Sequence, residues 1–397
     1  MTRPTVIITD GDQRAALAVV RSLGATYRCV VAASSTGSLA GGSRFCARSV
    51  LVPDPLERPN EFANSIVALA AEEKASLVLP IAEAALLAIL PVRSRLLPAV
   101  VPFPDIEVFN ALTDKQRLLE EAARLGIAIP AQQIIPDRAS LGSIDLHSMT
   151  YPVVLKPARS VGTINGGRAK VSVSYARDAD ELTRAVGTAS PAAFPLLVQQ
   201  RVVGPGTGIF ILLWDGEQRA TFAHRRLCEK PPSGGVSVYR ESIAVDVDLL
   251  ERSRALLDSF GWRGVAMVEY KRDAATGQPY LMEVNGRFWG SLQLAIDSGV
   301  DFPRLLAECA LGGNAVPQMP YRLGVRSRWW WGQVDHLVGR MGSRRKAPVP
   351  PGTLSASRAL SDLLLGPFRR ADYEEILRWN DPRPFWNETV RWMGARS

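Results

Sequence analysis

The stretch Val265–Gln293, VAMVEYKRDAATGQPYLMEVNGRFWGSLQ, limits what this chain can fold into more than any other. It reads as two strands, Val265–Lys271 and Tyr280–Phe288, joined by the turn formers of Asp273–Pro279. Side chains alternate faces along a strand. Leu281, Glu283, Asn285 and Arg287 are therefore expected on one face, and Tyr280, Met282 and Val284 on the other. With the turn centred near Thr276, Glu269 falls opposite Glu283. Two like charges directly opposed destabilise a sheet. A hard divalent cation would relieve them, and Mg2+ takes oxygen ligands of the kind that Glu269, Glu283 and the Asn285 amide offer. Arg287, one step further, suits an anionic group such as phosphate or carboxylate. Two opposed glutamates alone would fit a solvated hairpin face; the added Asn285 and Arg287 in register favour a site.

The remaining chain offers a large enough core for two or three domains, at 397 residues and 47% hydrophobic. A net charge of +8 suits anionic ligands. No basic block or finger spacing points to nucleic acid. Cys29, Cys46, Cys228 and Cys309 are scattered and are expected as free thiols in a reducing compartment. With only His147, His224 and His336 as imidazoles, a zinc site is not expected. No signal peptide is read, and apolar runs such as Ala84–Val92 are too short to span a bilayer, so a cytoplasmic protein without membrane partners is expected.

In order, Thr5–Thr9, helix Gln13–Leu23 and strand Arg28–Ala33 form a β-α-β opening, which argues for a parallel sheet. It lacks the GxGxxG of dinucleotide sites. Leu77–Pro80 and Val100–Phe103 are further strands. Glu83, just past a strand end, either faces a ligand cleft or lies on the surface. Thr113 and Gln116 have the form of a capping box for a helix to Leu125, and they set Lys115 in a first turn, an electrostatically poor place for a cation. Tyr151–Pro157 is an apolar strand that delivers Lys156 at its end, a point charge suited to phosphate. Ala158–Lys170, with Gly162, Gly166 and Gly167, reads as a diffuse glycine-rich loop. Val171–Tyr175 is a strand, Asp178–Val186 a helix and Leu196–Val203 an apolar strand. A hairpin about Asp215-Gly216 ends at His224-Arg225-Arg226, and Glu229–Gly235 reads as irregular. Arg226 suits a carboxylate or phosphate, with a solvent-facing arginine as the alternative. Asp248–Phe260, Ser291–Asp297 and Pro303–Leu311 are helices. In the tail, Trp329-Trp330-Trp331 precede a helix through Val338. A loop with Arg344-Arg345-Lys346 and Pro348–Gly352 follows, then helical stretches near Arg358–Leu365 and Tyr373–Trp379. The tryptophans are expected to fill a small core, with substrate specificity or a homodimer contact as other uses.

Glu269, then Glu283-Val284-Asn285, then Arg287-Phe288 resembles the metal-binding end of ATP-grasp enzymes, in their carbamoyl-phosphate-synthase-like carboxylate–amine ligase branch. The resemblance covers about Met1 to Gly313. It implies an α/β (α+β grasp) fold: a parallel-sheet pre-ATP-grasp domain over 1–112, an ATP-grasp domain over 113–313 with a lid subdomain at 151–203, and a small helical C-terminal appendage over 314–397. It implies ATP and one or two Mg2+ ions, with Mn2+ as a substitute. The substrates would be a small-molecule carboxylate, activated as an acyl phosphate, and an amine that captures it with release of ADP and phosphate. Lys115 and Lys156 would meet the ATP phosphates, and the backbone of Gln199, Gln200, Arg201 and Val202 the adenine edge. Glu269, Glu283 and Asn285 would hold the metal; Arg287, with Arg226 as a second group, would stabilise developing charge. The glycine loop resembles the mobile lid. Many relatives carry Glu at the first hinge position; Gln199 or Gln200 stands there, and Pro205–Gly208 supplies no acid. A small-molecule kinase on this fold and a non-catalytic nucleotide-binding protein are the alternatives.

Overall fold

The computed structural model describes residues 3–146, 149–164, 167–232, 234–313, 316, 320–342, 355–366 and 369–394. His147, Gly166 and the Arg344–Gly352 loop singled out above lie outside the described residues.

The chain opens with β1 (Thr5–Ile8), α1 (Arg14–Leu23), β2 (Arg28–Ala33), β3 (Cys46–Leu51), α2 (Pro59–Glu72), β4 (Leu77–Leu79) and α3 (Glu83–Ile89). The strands form a parallel sheet in the order β3-β2-β1-β4. Its two faces feed two cores, as a period of two requires. Val6 and Ile8 join one apolar cluster, and Ile7 joins the other with Val30 and Val78. The strand expected at Val100–Phe103 shrinks to one parallel bridge from Val100 to Leu77.

Next come α4 (Ile106–Thr113) and α5 (Lys115–Arg124). The expected Thr113 cap is corrected: Asp114 is the N-cap, its carboxylate accepting from the backbone N–H groups of Gln116 and Arg117. Thr113 still belongs to α4, and its hydroxyl donates back to the Phe109 carbonyl. A small antiparallel sheet follows, built from β5 (Gln132–Ile135), β6 (Val153–Pro157), β9 (Ser174–Ala176) and β10 (Leu196–Gln200), in the order β5-β10-β6-β9. Between β6 and β9 the chain forms a hairpin of β7 (Val161–Ile164) and β8 (Gly167–Lys170). Val161–Ile164 and Gly167–Lys170 of the glycine-rich segment are thus paired strands, where a loop was expected. The helix α6 (Ala179–Thr188) covers this sheet.

The large sheet has the order β15-β14-β11-β12-β13-β16-β17. Its strands are β11 (Gly206–Trp214), β12 (Glu217–Lys230), β13 (Val236–Ser242), β14 (Gly264–Arg272), β15 (Pro279–Asn285), β16 (Arg326–Arg328) and β17 (Asp372–Glu374). Two expectations change here. β12 does not stop at Arg226 but runs to Lys230, and β13 pairs back along it, so the Pro/Gly segment is a hairpin connection. The stretch Tyr373–Trp379 is not a helix; it opens with β17, which pairs in parallel with β16. α7 (Val247–Ser259) packs on the sheet, with the Ser253 hydroxyl 2.9 Å from that of Tyr270 on β14. α8 (Leu292–Ser298) and α9 (Phe302–Ala310) complete this layer.

The C-terminal region is helical, with α10 (Trp330–Gly342), α11 (Ala356–Leu365) and α12 (Arg383–Gly394). Trp331 stacks on Trp392 at 4.0 Å between ring centroids, tying α10 to α12. Ion pairs bind this region to the first domain: Arg14–Glu375 at 2.5 Å, Arg21–Asp381 at 2.8 Å and Arg391–Asp12 at 2.6 Å. Among the described residues no helix is long and apolar enough to cross a membrane.

Within the sheet, Arg328 of β16 is paired with Asp372 of β17, both side chains 1% exposed. Tyr239 also donates to Asp372, at 2.8 Å. Removing one partner of a buried pair leaves the other charge uncompensated, typically at a cost of about 3–5 kcal/mol. Asp372→Ala should therefore lower the urea unfolding midpoint by that order of stability. A change below about 1 kcal/mol would show that β17 does not hold the C-terminal region to the sheet.

Candidate functional site

A cleft of about 400 Å³ lies between the small sheet and the large one. The register of the large sheet sets its floor. Glu283 of β15 pairs with Glu269 of β14, Glu269 with Gly208 of β11, and Gly208 with His224 of β12. Directly opposed residues share a face, so the two glutamates and the imidazole form one row with a gap at Gly208. The gap is needed: a Cβ there would come within 2.7 Å of the Phe210 ring and 3.2 Å of His224.

The expected opposition of Glu269 and Glu283 is present, but the alternation expected beyond it is not. The register shifts between Glu269 and Tyr270, and Tyr270 pairs with Leu281, which leaves Met282 opposite nothing. Met282 is the extra residue of a β-bulge. Leu281, expected beside the glutamates, is buried in the core with Tyr270, and Met282 lines the cleft with Glu283.

Three cations meet the two carboxylates. Arg226 pairs with Glu269, and with Glu229 at 2.9 Å. Lys115 lies 3.7 Å from Glu283, and its Nζ donates to the Ser160 hydroxyl at 3.0 Å. Lys156, half-buried on β6 of the small sheet, has its Nζ 3.8 Å from Met282 Sδ. Asn285 donates to Glu283 at 3.2 Å, and Arg287 donates to the Asn285 amide oxygen at 3.0 Å.

The protonation equilibria follow from burial and from this pairing. Burial pushes the Glu269 carboxyl above its ordinary range, and the nearby Glu283 and Glu229 add to the rise against Arg226. Burial acts on Glu283 too, but the Lys115 and Lys156 charges and the Asn285 amide outweigh it and hold that carboxyl below its ordinary range. Burial pushes the Lys156 ammonium down to about 8, against the attraction of Glu283. For Arg226 the carboxylates Glu269 and Glu229 overcome burial and keep the guanidinium charged.

Of the residues singled out from sequence, Lys156, Gln199, Gln200, Arg201, Val202, Arg226, Glu269, Glu283, Asn285 and Arg287 all line the cleft. Lys115 lines a smaller cavity beside it, with Glu83, Ser160, Glu283, Asn285 and Arg287. Glu83 thus faces the cleft side; burial raises its carboxyl, against the Arg287 and Lys115 charges. Gln199, next to the last residue of β10, is paired on both sides, by β5 and β6, and donates to Gln132 at 2.8 Å. Sequence reasoning did not single out Arg14, Tyr175, His224, Glu229, Lys271 or Met282, which also line the cleft. Only Glu229 carried a local signal, three residues from Arg226 on what proves to be the same strand.

Among the described residues no cluster of three or more His, Cys, Asp or Glu is set to hold a metal. The carboxylate pair can do so only with Asn285 and oxygens from a substrate. Such an all-oxygen set fits Mg2+, which typically takes one or two carboxylates plus phosphate oxygens.

Residues 193–331 match the family described as ATP-grasp in the biosynthetic pathway with Ter operon. Among solved structures, L-amino acid ligase from Bacillus licheniformis aligns with a TM-score of 0.62 at 18% identity, over 78% of this chain and 75% of that one. The ADP complex of PurK, N5-carboxyaminoimidazole ribonucleotide synthetase, aligns with a TM-score of 0.64 at 13% identity, over 92% and 97%. The biotin carboxylase domain dimer of Hydrogenobacter thermophilus 2-oxoglutarate carboxylase, bound to MgADP, ADP and bicarbonate, aligns with a TM-score of 0.61 at 16% identity, over 82% and 74%. No curated protein matches the chain in sequence. The chain has the ATP-grasp fold, preceded by a parallel-sheet α/β domain and followed by a helical C-terminal region. Its residues 193–331, which carry Arg226, Glu269, Glu283, Asn285 and Arg287, match that family directly.

Proposed function

We propose that the protein is an ATP- and Mg2+-dependent ligase that activates a small-molecule carboxylate as an acyl phosphate and joins it to an amine or similar nucleophile. One observation carries this reading: two in-register carboxylates, Asn285 and four cations from separate parts of the chain, Lys115, Lys156, Arg226 and Arg287, converge on one cleft and the small cavity beside it. Matching solved structures carry ligase, synthetase and carboxylase names, and two of them are complexes with ADP or MgADP; the fold agrees with such a role without by itself assigning it.

In this reading the adenine lies against the backbone of Gln199–Val202, at the end of β10. Lys156 and Lys115 neutralise the phosphates. Glu269, Glu283 and Asn285 would hold Mg2+, which would supply positive charge to offset that of the phosphates. A substrate carboxylate oxygen attacks the γ-phosphorus and ADP leaves. Arg287 stabilises the charge that develops on the transferred group, and Arg226, already paired with Glu269 and Glu229, acts through Glu269. The amine nitrogen then bonds to the acyl carbon, the phosphate leaves with the electron pair of the broken C–O bond, and the amine releases a proton to solvent. Residues 1–112, 113–313 and 314–397 serve as pre-grasp, grasp and C-terminal parts.

The deciding experiment follows ADP, AMP and phosphate with Mg2+ over a panel of carboxylic acids, with and without amines. The expected result is ADP and phosphate that require both substrates and fall at least about 100-fold in Glu283→Ala. A stable phosphorylated product would make the protein a kinase, and AMP would remove the acyl-phosphate route. A second expectation concerns pH. The Lys156 ammonium, lowered to about 8, is charged below that pH and neutral above it. Calorimetric ADP affinity should therefore fall, by up to about tenfold per pH unit, as pH rises past about 8, and the fall should vanish in Lys156→Arg. A flat profile in the parent protein would take Lys156 away from the phosphates.

A further inference from the structure

Past Gly208, the row that contains the two glutamates reaches His224, two strand spacings from Glu269, roughly 10 Å. His224 is 1% exposed, yet neither ring nitrogen has a hydrogen-bond partner among the described residues. Its ring meets Phe210 edge-on at 4.7 Å, and Trp289 packs on the same Phe210 at 4.3 Å. The Trp289 indole N–H is likewise buried and unpartnered among the described residues. Both His224 and Trp289 line the cleft, and Arg14 of the first domain lines it with them. Buried polar groups in native proteins nearly always have partners. Two such groups in one wall, beyond the carboxylate pair, mark a place where a bound molecule supplies the missing hydrogen bonds.

The chemistry of that wall narrows the molecule. Burial, with the Arg226 and Arg240 charges, holds His224 well below the usual imidazole range, so at neutral pH it offers one donor and one acceptor. A cationic substituent there would meet Arg226 and Arg240. An anionic one would find both guanidiniums already engaged, Arg226 with Glu229 and Glu269, Arg240 with Glu375. An uncharged group that both donates and accepts satisfies the imidazole and the indole N–H together.

We propose that the far end of the cleft, His224 with Trp289, is a specificity subsite for an uncharged hydrogen-bonding substituent, a hydroxyl or a carboxamide, carried a few bonds from the substrate carboxylate. This rests on the ligase reading only in placing the carboxylic acid in the cleft. The full-length protein, loaded with ADP and Mg2+, is titrated calorimetrically with butyrate, hydroxybutyrate, succinamate, succinate and aminobutyrate.

Hydroxybutyrate or succinamate should bind at least about tenfold more tightly than the other three, since a site built to bond such a group discriminates strongly against the analogue that lacks it. The preference should drop below about threefold in His224→Leu and persist in His224→Gln, whose amide keeps a donor and an acceptor. Unchanged ADP affinity shows that the variants are folded. Should His224→Leu not fold, Trp289→Phe keeps an aromatic ring, removes the indole N–H and should weaken the same preference. Equal binding of all five acids, a preference for succinate or aminobutyrate, no binding of any, or a preference that survives both variants overturns the proposal. Turnover separates the two claims. Selective acid binding with no ADP formed with any amine sinks the ligase reading and leaves the subsite; turnover without selectivity does the reverse.

Discussion

Two carboxylates held opposite each other across a strand pair are the constraint around which this molecule is assembled. Glu269 and Glu283 are opposed in register, with Cβ atoms about 5 Å apart in such a pair. At an effective dielectric of about 20, two unit charges at that distance repel by on the order of 3 kcal/mol. The hairpin cannot supply the compensation by itself. Arg226 reaches Glu269 from β12, two strands away; Lys115 reaches Glu283 from the first turn of α5; Lys156 acts from β6 of the small sheet. Each cation is held where it is a local liability: Lys115 at a helix N-terminus, Lys156 with its ammonium desolvated. The carboxylates make those positions tolerable, and the cations make the carboxylate pair tolerable. Bringing them together brings the two sheets into the relation that leaves a cleft.

That mutual dependence explains which parts were legible in the sequence. The Glu-to-Glu register could be read because it follows from one local turn and a period of two. Asp273 fixes that turn by accepting from the N–H groups of Ala275 and Thr276. The bulge at Met282 could not be read, because nothing in YLMEVN says which residue is left unpaired; the burial of Leu281 and Tyr270 in the core decides it. The length of β12 was hidden for a related reason. Glu229-Lys230-Pro231-Pro232 looks irregular alone, and only β13, folding back against it, turns the first two residues into strand. Asp114 displaced Thr113 as helix cap because Thr113 is taken up as the last residue of α4. Tyr373 and its neighbours follow helical spacing but are claimed by β16, a tertiary pairing that outweighs local preference.

The same split between near and far runs through the cleft. Its carboxylate end is made by residues of β6, β10, β14 and β15 with Lys115; the types of Lys156, Glu269, Glu283, Asn285 and Arg287 suggested phosphate and metal chemistry, and the family resemblance added Lys115 and the end of β10. The far end is assembled from three separate parts of the chain. Glu375, just past β17, holds Arg14 of the first domain and Arg240 of β13 together, and Arg14 lies over the Trp329 ring at 4.2 Å. Burial first, and then the Arg226 and Arg240 charges, hold His224 well below the usual imidazole range. No stretch of sequence encodes this corner, since each of its groups is ordinary until the others arrive. A chain that keeps the hairpin and its cations can therefore keep one chemistry while changes near Arg14, Glu375 or Trp289 retune the far wall. That is the physical reason the kind of reaction is easier to read from these residues than the identity of the acid they would act on.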